Sequence, residues 1–380
     1  MSARVAIAET HPSQNRLMRR PETPLTVKGR GTTAQPDNRF FSTRTEAADD
    51  GWNASPDDPD GEPAPNPLTR VTEESARSIV SRNSSPDIPF SQSINPYRGC
   101  EHGCVYCFAR PSHAYLDLSP GLDFETRLYA KTNAVERLRV ELSRPKYRCS
   151  PIALGINTDG YQPIERRYRI TRGLLEVLAE CRHPVSLITK SALIERDLDL
   201  LAPMAQHGLV GVYFSITTLD NHLASKMEPR ATAPHRKLKA IRTLTEAGVP
   251  VGVMVAPVIP ALTDPELETI LEAAHDAGAH SAGYVLLRLP HEIKDLFRDW
   301  LAQHFPNRAE HVMSLIRQMH GGKDYDATFG KRMRGEGVFA QLLARRFSLA
   351  YERFGYGRLP PLRTDLFRAP LSPSPQGNLF

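Results

Sequence analysis

No apolar run in the sequence reaches the roughly 18–20 residues that a membrane-crossing helix needs, so an integral membrane protein is not expected. The opening stretch, MSARVAIAETHPSQNR, lacks the apolar core of a secretory leader, and the expected setting is therefore the cytoplasm. Cysteine is scarce, five in 380 residues, which excludes a disulfide-stapled scaffold. Inside a cell, clustered cysteines belong to metal sites or to catalysis. There is no internal repeat, and no glycine pattern of the Walker or dinucleotide-binding kind. Charge of one sign is not in large excess either: the net value is +5, a weak attraction for a polyanion on a chain of this length.

What is present divides into three regions. Residues 1–90 contain SPDDPDGEPAPNPL, rich in Pro and Asp with no apolar period. Such a segment buries too little to offset its ordering entropy, so 1–70 reads as extended or disordered. TRVTEESARSIVSRN is a short ordered lead-in, and Phe40, Phe41 and Trp52 are anchors for an arm that wraps the next region. Residues 91–300 form the core domain. Residues 301–380 form a basic, helical C-terminal extension: between Lys331 and Arg368 there are nine Lys or Arg and three acids. That excess fits a solvated helix face, or a surface that contacts phosphates.

The core domain alternates short apolar runs with amphipathic stretches. The runs are IALGI (152–156), VSLIT (185–189), LVGVYFSI (209–216), VGVMVAPVI (251–259) and AGYVLLRL (282–289). They are continuous rather than alternating, the pattern of parallel strands covered on both faces. Between them, 133–144, 172–182, 196–207, 236–248 and 265–278 carry helical periodicity, with Gly248 and Gly278 at C-cap positions. Counting a strand at SINPY, six β/α units are present. The expected fold is α/β, a partial (β/α)6 barrel with an irregular N-terminal extension and a short helical C-terminal one. Chemistry in such folds sits at the C-terminal ends of the strands.

Three of the five cysteines stand after the first of those strands, in NPYRGCEHGCVYCFARP (95–111), as Cys100, Cys104 and Cys107. Three thiolates on one short loop hold three corners of an iron–sulfur cluster. Structural zinc needs a fourth ligand, for which His102, Cys149 and Cys181 are the available residues. A non-catalytic zinc or nucleic-acid-binding protein is therefore the competing reading from another class.

The loop CEHGCVYC resembles the C-x3-C-x-aromatic-C signature of the radical S-adenosylmethionine (SAM) superfamily, with Tyr106 as the aromatic residue. Within that superfamily NPYRGCEHGCVYCFAR is most similar to the group of spore photoproduct lyase and the DNA repair photolyase-like proteins. The resemblance runs from residue 92 to about 300. It implies a radical SAM enzyme. One 4Fe–4S cluster would be held by Cys100, Cys104 and Cys107, and SAM would chelate the remaining iron. One-electron cleavage would give methionine and a 5′-deoxyadenosyl radical.

The resemblance also implies SAM contacts at the strand ends: Asn157, Thr158 and Asp159 in NTDGYQPIE, Lys190 in ITKSALIERD, Ser215 in YFSITTLD and Arg230 in KMEPRATAP. Each has a plain structural reading beside it, a helix cap for Asp159 and a loop ion pair for Arg230. The apolar fifth run, VGVMVAPVIP, suits adenine. The implied partners are an electron donor such as flavodoxin or ferredoxin and an unassigned substrate, with nucleic acid as one class and no membrane. In the lyase a cysteine that donates hydrogen precedes the Thr-Ser-Asp segment; the matching residue here is Ile156, so that step is not carried over.

Overall fold

A computed structural model describes residues 29–32, 34–40 and 68–370. The expectation of disorder over 1–70 falls largely outside the described residues, as do Phe41 and Trp52.

Along the chain the elements are β1 (Arg70–Glu74), β2 (Val80–Arg82), β3 (Gln92–Ile94), β4 (Tyr97–Arg98), α1 (Asp123–Thr126), β5 (Arg127–Lys131) and α2 (Ala134–Leu142). Then come β6 (Ile152–Leu154), α3 (Glu165–Tyr168), α4 (Ile170–Glu180), β7 (Val185–Thr189), α5 (Leu198–Gln206), β8 (Val210–Ser215), α6 (Asn221–Met227) and α7 (Pro234–Glu246). The chain continues through β9 (Val251–Val258), α8 (Leu267–Asp276), β10 (Ser281–Leu286), α9 (Ile293–His304), α10 (Pro306–Met319) and α11 (Gly337–Arg353).

The main sheet has the order β10-β9-β8-β7-β6-β3-β2. The six strands from β3 to β10 are parallel, and β2 closes one edge antiparallel to β3. This is the partial barrel. Its strands are apolar on both faces because helices cover one side and the barrel interior the other; Val212, Phe214, Val251 and Val253 are fully buried. Helices α7 and α8 stop where glycine permits a left-handed turn. At each, the residue after Gly248 or Gly278 donates back into the last turn, Val249 N to Leu244 O at 3.0 Å and Ala279 N to Ala274 O at 2.9 Å.

A second sheet, β1-β5-β4, was not foreseen beyond the lead-in. Its strands are short and partly exposed, so they carry no apolar run to read. It flanks the cysteine loop, since β4 leads into that loop and β5 leaves it.

The C-terminal extension joins the same core. Leu343 and Ala350 of α11 are buried with the residues of α8, and Arg346 reaches the Glu268 carboxylate at 2.6 Å. Each fully buried Leu or Val contributes about 1.5–3 kcal/mol, so this packing outweighs the surface charge of the helix. Of the nine cations noted above, Lys331, Arg332, Arg346 and Arg363 sit in ion pairs. Beyond α11 the chain crosses the N-terminal ends of the strands, Arg363 N bonding Gly208 O and Arg368 N bonding Cys181 O. Among the described residues no helix is long and apolar enough to cross a membrane.

Residues 320–336 run from α10 to α11 past the opposite, C-terminal end of the barrel. Leu286 N donates to Met333 O at 3.0 Å, and Arg332 grips Asp87 with two bonds of 2.6 and 2.7 Å. Asp87→Asn is expected to speed tryptic cleavage after Lys331, Arg332 and Arg334 several-fold, with the melting temperature of the barrel little changed. Unaltered cleavage would show that the Asp87–Arg332 pair is not what holds the segment.

Candidate active site

The cysteine loop is built from below. Arg110, fully buried, lies under it and donates to the carbonyls of Cys104 (2.9 Å), Gly103 (3.1 Å) and Gly121 (2.9 Å). Its charge is balanced by Glu125, also fully buried, at 2.5 Å. The second oxygen of Glu125 accepts Gly31 N at 2.9 Å, and Arg30 donates to the Glu125 carbonyl at 3.1 Å. Residues of the N-terminal arm thus belong to the support of the loop. Gly31 is tightly enclosed: a Cβ there would lie 1.6 Å from Gly103 O. Gly103 itself has φ +68°, a turn that frees its carbonyl for Arg110. From the other side Gln162 accepts from Glu101 N at 2.8 Å and donates to Gly99 O at 3.1 Å.

Cys100, Cys104 and Cys107 border one cavity of about 250 Å³ at the C-terminal ends of the strands. Burial pushes all three thiols upward in pKa, with the Asp159 carboxylate adding to the effect at Cys100 and Glu228 at Cys104. A bound metal would favour the thiolate form of all three. Cys149 and Cys181 do not line the cavity; both precede strands, β6 and β7, and so lie at the other end of the sheet. His102 lines it but faces the Asp159 carboxylate at 3.5 Å. Among the described residues no three His, Cys, Asp or Glu side chains converge on a single-ion position. Three thiols on one loop around an open space, without a fourth, match a polynuclear cluster with one open corner better than closed tetrahedral zinc.

Of the strand-end residues, Tyr106, Asn157, Asp159, Lys190 and Ser215 line the same cavity. Thr158 and Arg230 do not. Thr158 turns inward and donates to Tyr97 O at 3.1 Å, while Arg230 pairs with Glu101 at 2.8 Å, the loop ion pair of its structural reading. Asp159 ties β6 to β7: its oxygens accept Tyr161 N (2.8 Å), the Thr189 hydroxyl (2.8 Å) and Lys190 N (2.7 Å). Lys190 Nζ stands 3.4 Å from Ala256 O and 5.9 Å from the centre of the Tyr106 ring. The Tyr106 hydroxyl bonds the buried Glu228, which is neutralised by Lys237 at 2.8 Å. Burial alone would raise Glu228, but Lys237 and Lys190 outweigh it and hold the carboxyl below its ordinary range. Met254, Ala256, Pro257, Val285 and Leu286 form an apolar wall, with Ile156 across from them in the same lining.

A family model described as the radical SAM superfamily matches residues 94–274, the span that carries this loop and the strand ends around it. The chain belongs to the radical SAM superfamily. It is 41% identical over 233 residues to the uncharacterised protein Rv2578c of Mycobacterium tuberculosis, covering 61% of this chain and 68% of that one. It is 26% identical over 217 residues to the uncharacterised protein MJ0683 of Methanocaldococcus jannaschii, covering 57% and 77%. Among solved structures, spore photoproduct lyase complexed with dinucleoside spore photoproduct superposes with a TM-score of 0.53 at 15% identity, over 75% of this chain and 80% of that one. That likeness is one of fold. The protein is a radical SAM enzyme, and the superfamily implies a 4Fe–4S cluster and SAM as cofactors.

Sequence reasoning found the radical SAM loop but not its support. Arg110 follows the motif closely enough to have been suspected, and Gln162 lies in the NTDGYQPIE stretch already singled out; Glu125 and Gly31 carry no local signal. Arg110→Met should cost about 3–5 kcal/mol in chemical denaturation, because Glu125 is left charged and unpaired. Adding Glu125→Leu should recover much of that loss. If the double variant is no more stable than the single one, the pair is not what sets the cost.

Proposed function

We propose that Cys100, Cys104 and Cys107 hold a 4Fe–4S cluster and that the adjoining cavity binds SAM, which the enzyme cleaves reductively. The observation that carries this reading is the meeting of all three thiols with Lys190 and Ser215 on one cavity. When bound, the reduced cluster and SAM together supply one-electron cleavage of the sulfonium C–S bond to methionine and a 5′-deoxyadenosyl radical, which takes hydrogen from an unactivated carbon.

The protein's share is placement. Lys190 supplies a cation for the carboxylate of the methionine half. Ser215, whose hydroxyl has no hydrogen-bond partner among the described residues, offers a donor beside it. Asp159 fixes the backbone of Lys190 and so its approach. Glu228 and Lys237 fix the Tyr106 ring. Asn157 stands at the exposed rim. The apolar wall of β9, with Met254, Ala256 and Pro257, takes the adenine and keeps water from the reacting centre. Thr158 and Arg230 have structural roles in this reading.

The electron comes from a small carrier of the flavodoxin or ferredoxin kind, and the setting is cytoplasmic. The lyase structure holds a dinucleoside lesion, but here no cysteine other than the three loop residues lines the cavity, and Ile156 occupies the position compared above. We therefore assign a substrate other than the spore photoproduct.

Anaerobic purification should yield about four irons and four sulfides per chain, as the cluster type requires. Dithionite and SAM should then give 5′-deoxyadenosine. Cys104→Ala should lose both. Lys190→Met should keep the iron and bind SAM at least tenfold more weakly, about 1.4 kcal/mol. Full cleavage by Cys104→Ala, or zinc without sulfide in the wild type, would overturn the reading.

A further inference from the structure

Arg288 follows β10, an edge strand of the main sheet, and lines the cavity. Lys190 ends β7, and two strands, β8 and β9, separate it from β10. The Lys190 ammonium nonetheless reaches across to β9, 3.4 Å from Ala256 O, so the two cations face one mouth from different strands. Arg288 is half-buried, yet it has no ion pair and no hydrogen bond to any described residue; its guanidinium lies over the Phe108 ring, 4.2 Å from the centre. The Asp87 carboxylate in its field is held by Arg332 through two bonds. Burial is the largest influence on the Arg288 pKa and pulls it down; Tyr325, Asp87 and Cys107 push it up without outweighing the desolvation. By contrast, the buried Arg110 is paired with Glu125 and the half-buried Arg332 with Asp87.

Phe108 holds one face of the guanidinium, which keeps the planar fork oriented without occupying its N–H groups. Beside it the wall is apolar: Val285, Leu286 and Met333. Such a fork beside an apolar wall is suited to a molecule with an apolar body and one planar or tetrahedral oxyanion.

We propose that Arg288 is the anchor for an oxyanion of the substrate, a carboxylate or a phosphate group, and that it selects anionic substrates for this enzyme. This rests on the radical SAM reading of the same cavity. It goes further in giving the second partner of the reaction its own cation, apart from the one that serves SAM.

The test uses the full chain, reconstituted anaerobically, and compares wild type with Arg288→Gln and Arg288→Lys. Inorganic phosphate and acetate are titrated in turn, and binding is followed by line broadening in 31P and 13C spectra with SAM present. Wild type should bind at least one of the two. Arg288→Gln should weaken that binding about tenfold or more, and Arg288→Lys should recover part of it. Preference for phosphate assigns a phosphoryl substrate, and preference for acetate a carboxylate. Phe108→Leu provides a check that leaves the charge in place; it should weaken the same anion several-fold. Equilibrium dialysis of SAM should give the same affinity in Arg288→Gln as in wild type.

Anion binding that is absent, or equal in wild type and Arg288→Gln, would overturn the proposal. So would loss of SAM binding in Arg288→Gln, since the arginine would then serve the cofactor. Iron content and 5′-deoxyadenosine formation by the wild type, measured on the same preparation, report separately on the radical SAM reading.

Discussion

The buried Arg110–Glu125 pair is the constraint on which the site depends. A loop that presents three thiols to a cavity cannot use its backbone in a sheet or helix, so its carbonyls need donors from elsewhere. Arg110 supplies them from beneath, at Gly103, Cys104 and Gly121. A buried guanidinium needs a counter-charge, and Glu125 provides it while its other oxygen accepts from the N-terminal arm. The loop, the small second sheet and residues 30–31 are therefore one unit, held by a single neutralised charge. Such a pair adds little net stability against an apolar alternative, but it fixes one geometry, because losing either half is costly.

The same economy recurs at the cavity wall. Glu228 is neutralised by Lys237 and in turn holds Tyr106; Asp159 spends its oxygens on the ends of β6 and β7. These carboxylates are committed to the protein. Lys190, Ser215 and Arg288 are not, and they keep bonding capacity for a guest. Sorting polar residues by whether their capacity is already used separates scaffold from site more sharply than proximity does.

The sequence made much of this legible. The parallel strands showed as continuous apolar runs, and β7, β8 and β9 begin and end within a residue of those runs. The capping glycines and the cysteine loop were equally clear, since each depends on residues close in sequence. Thr158 and Arg230 were drawn toward the cavity by their place at strand ends, but side-chain direction is decided by partners: Tyr97 O for one, Glu101 for the other. Glu125 and Gly31 were invisible because their neighbours carry no pattern, and Gln162, although inside NTDGYQPIE, was passed over because its partners Gly99 and Glu101 are about sixty residues away. The basic C-terminal stretch suggested a phosphate surface, yet much of its charge is spent on Asp87, Glu268, Glu336 and Asp365.

The chain that follows α11 has a temporal meaning as well as a spatial one. It crosses the N-terminal ends of the strands, with Arg363 and Arg368 bonded at Gly208 and Cys181 and Phe367 packed against Tyr147 and His183. During synthesis these are among the last described residues to leave the ribosome. The cysteine loop, its arginine and its glutamate emerge long before. The loop and its buried ion pair are thus made before the strands that complete the cavity wall, and the segment across the floor of the barrel comes after both.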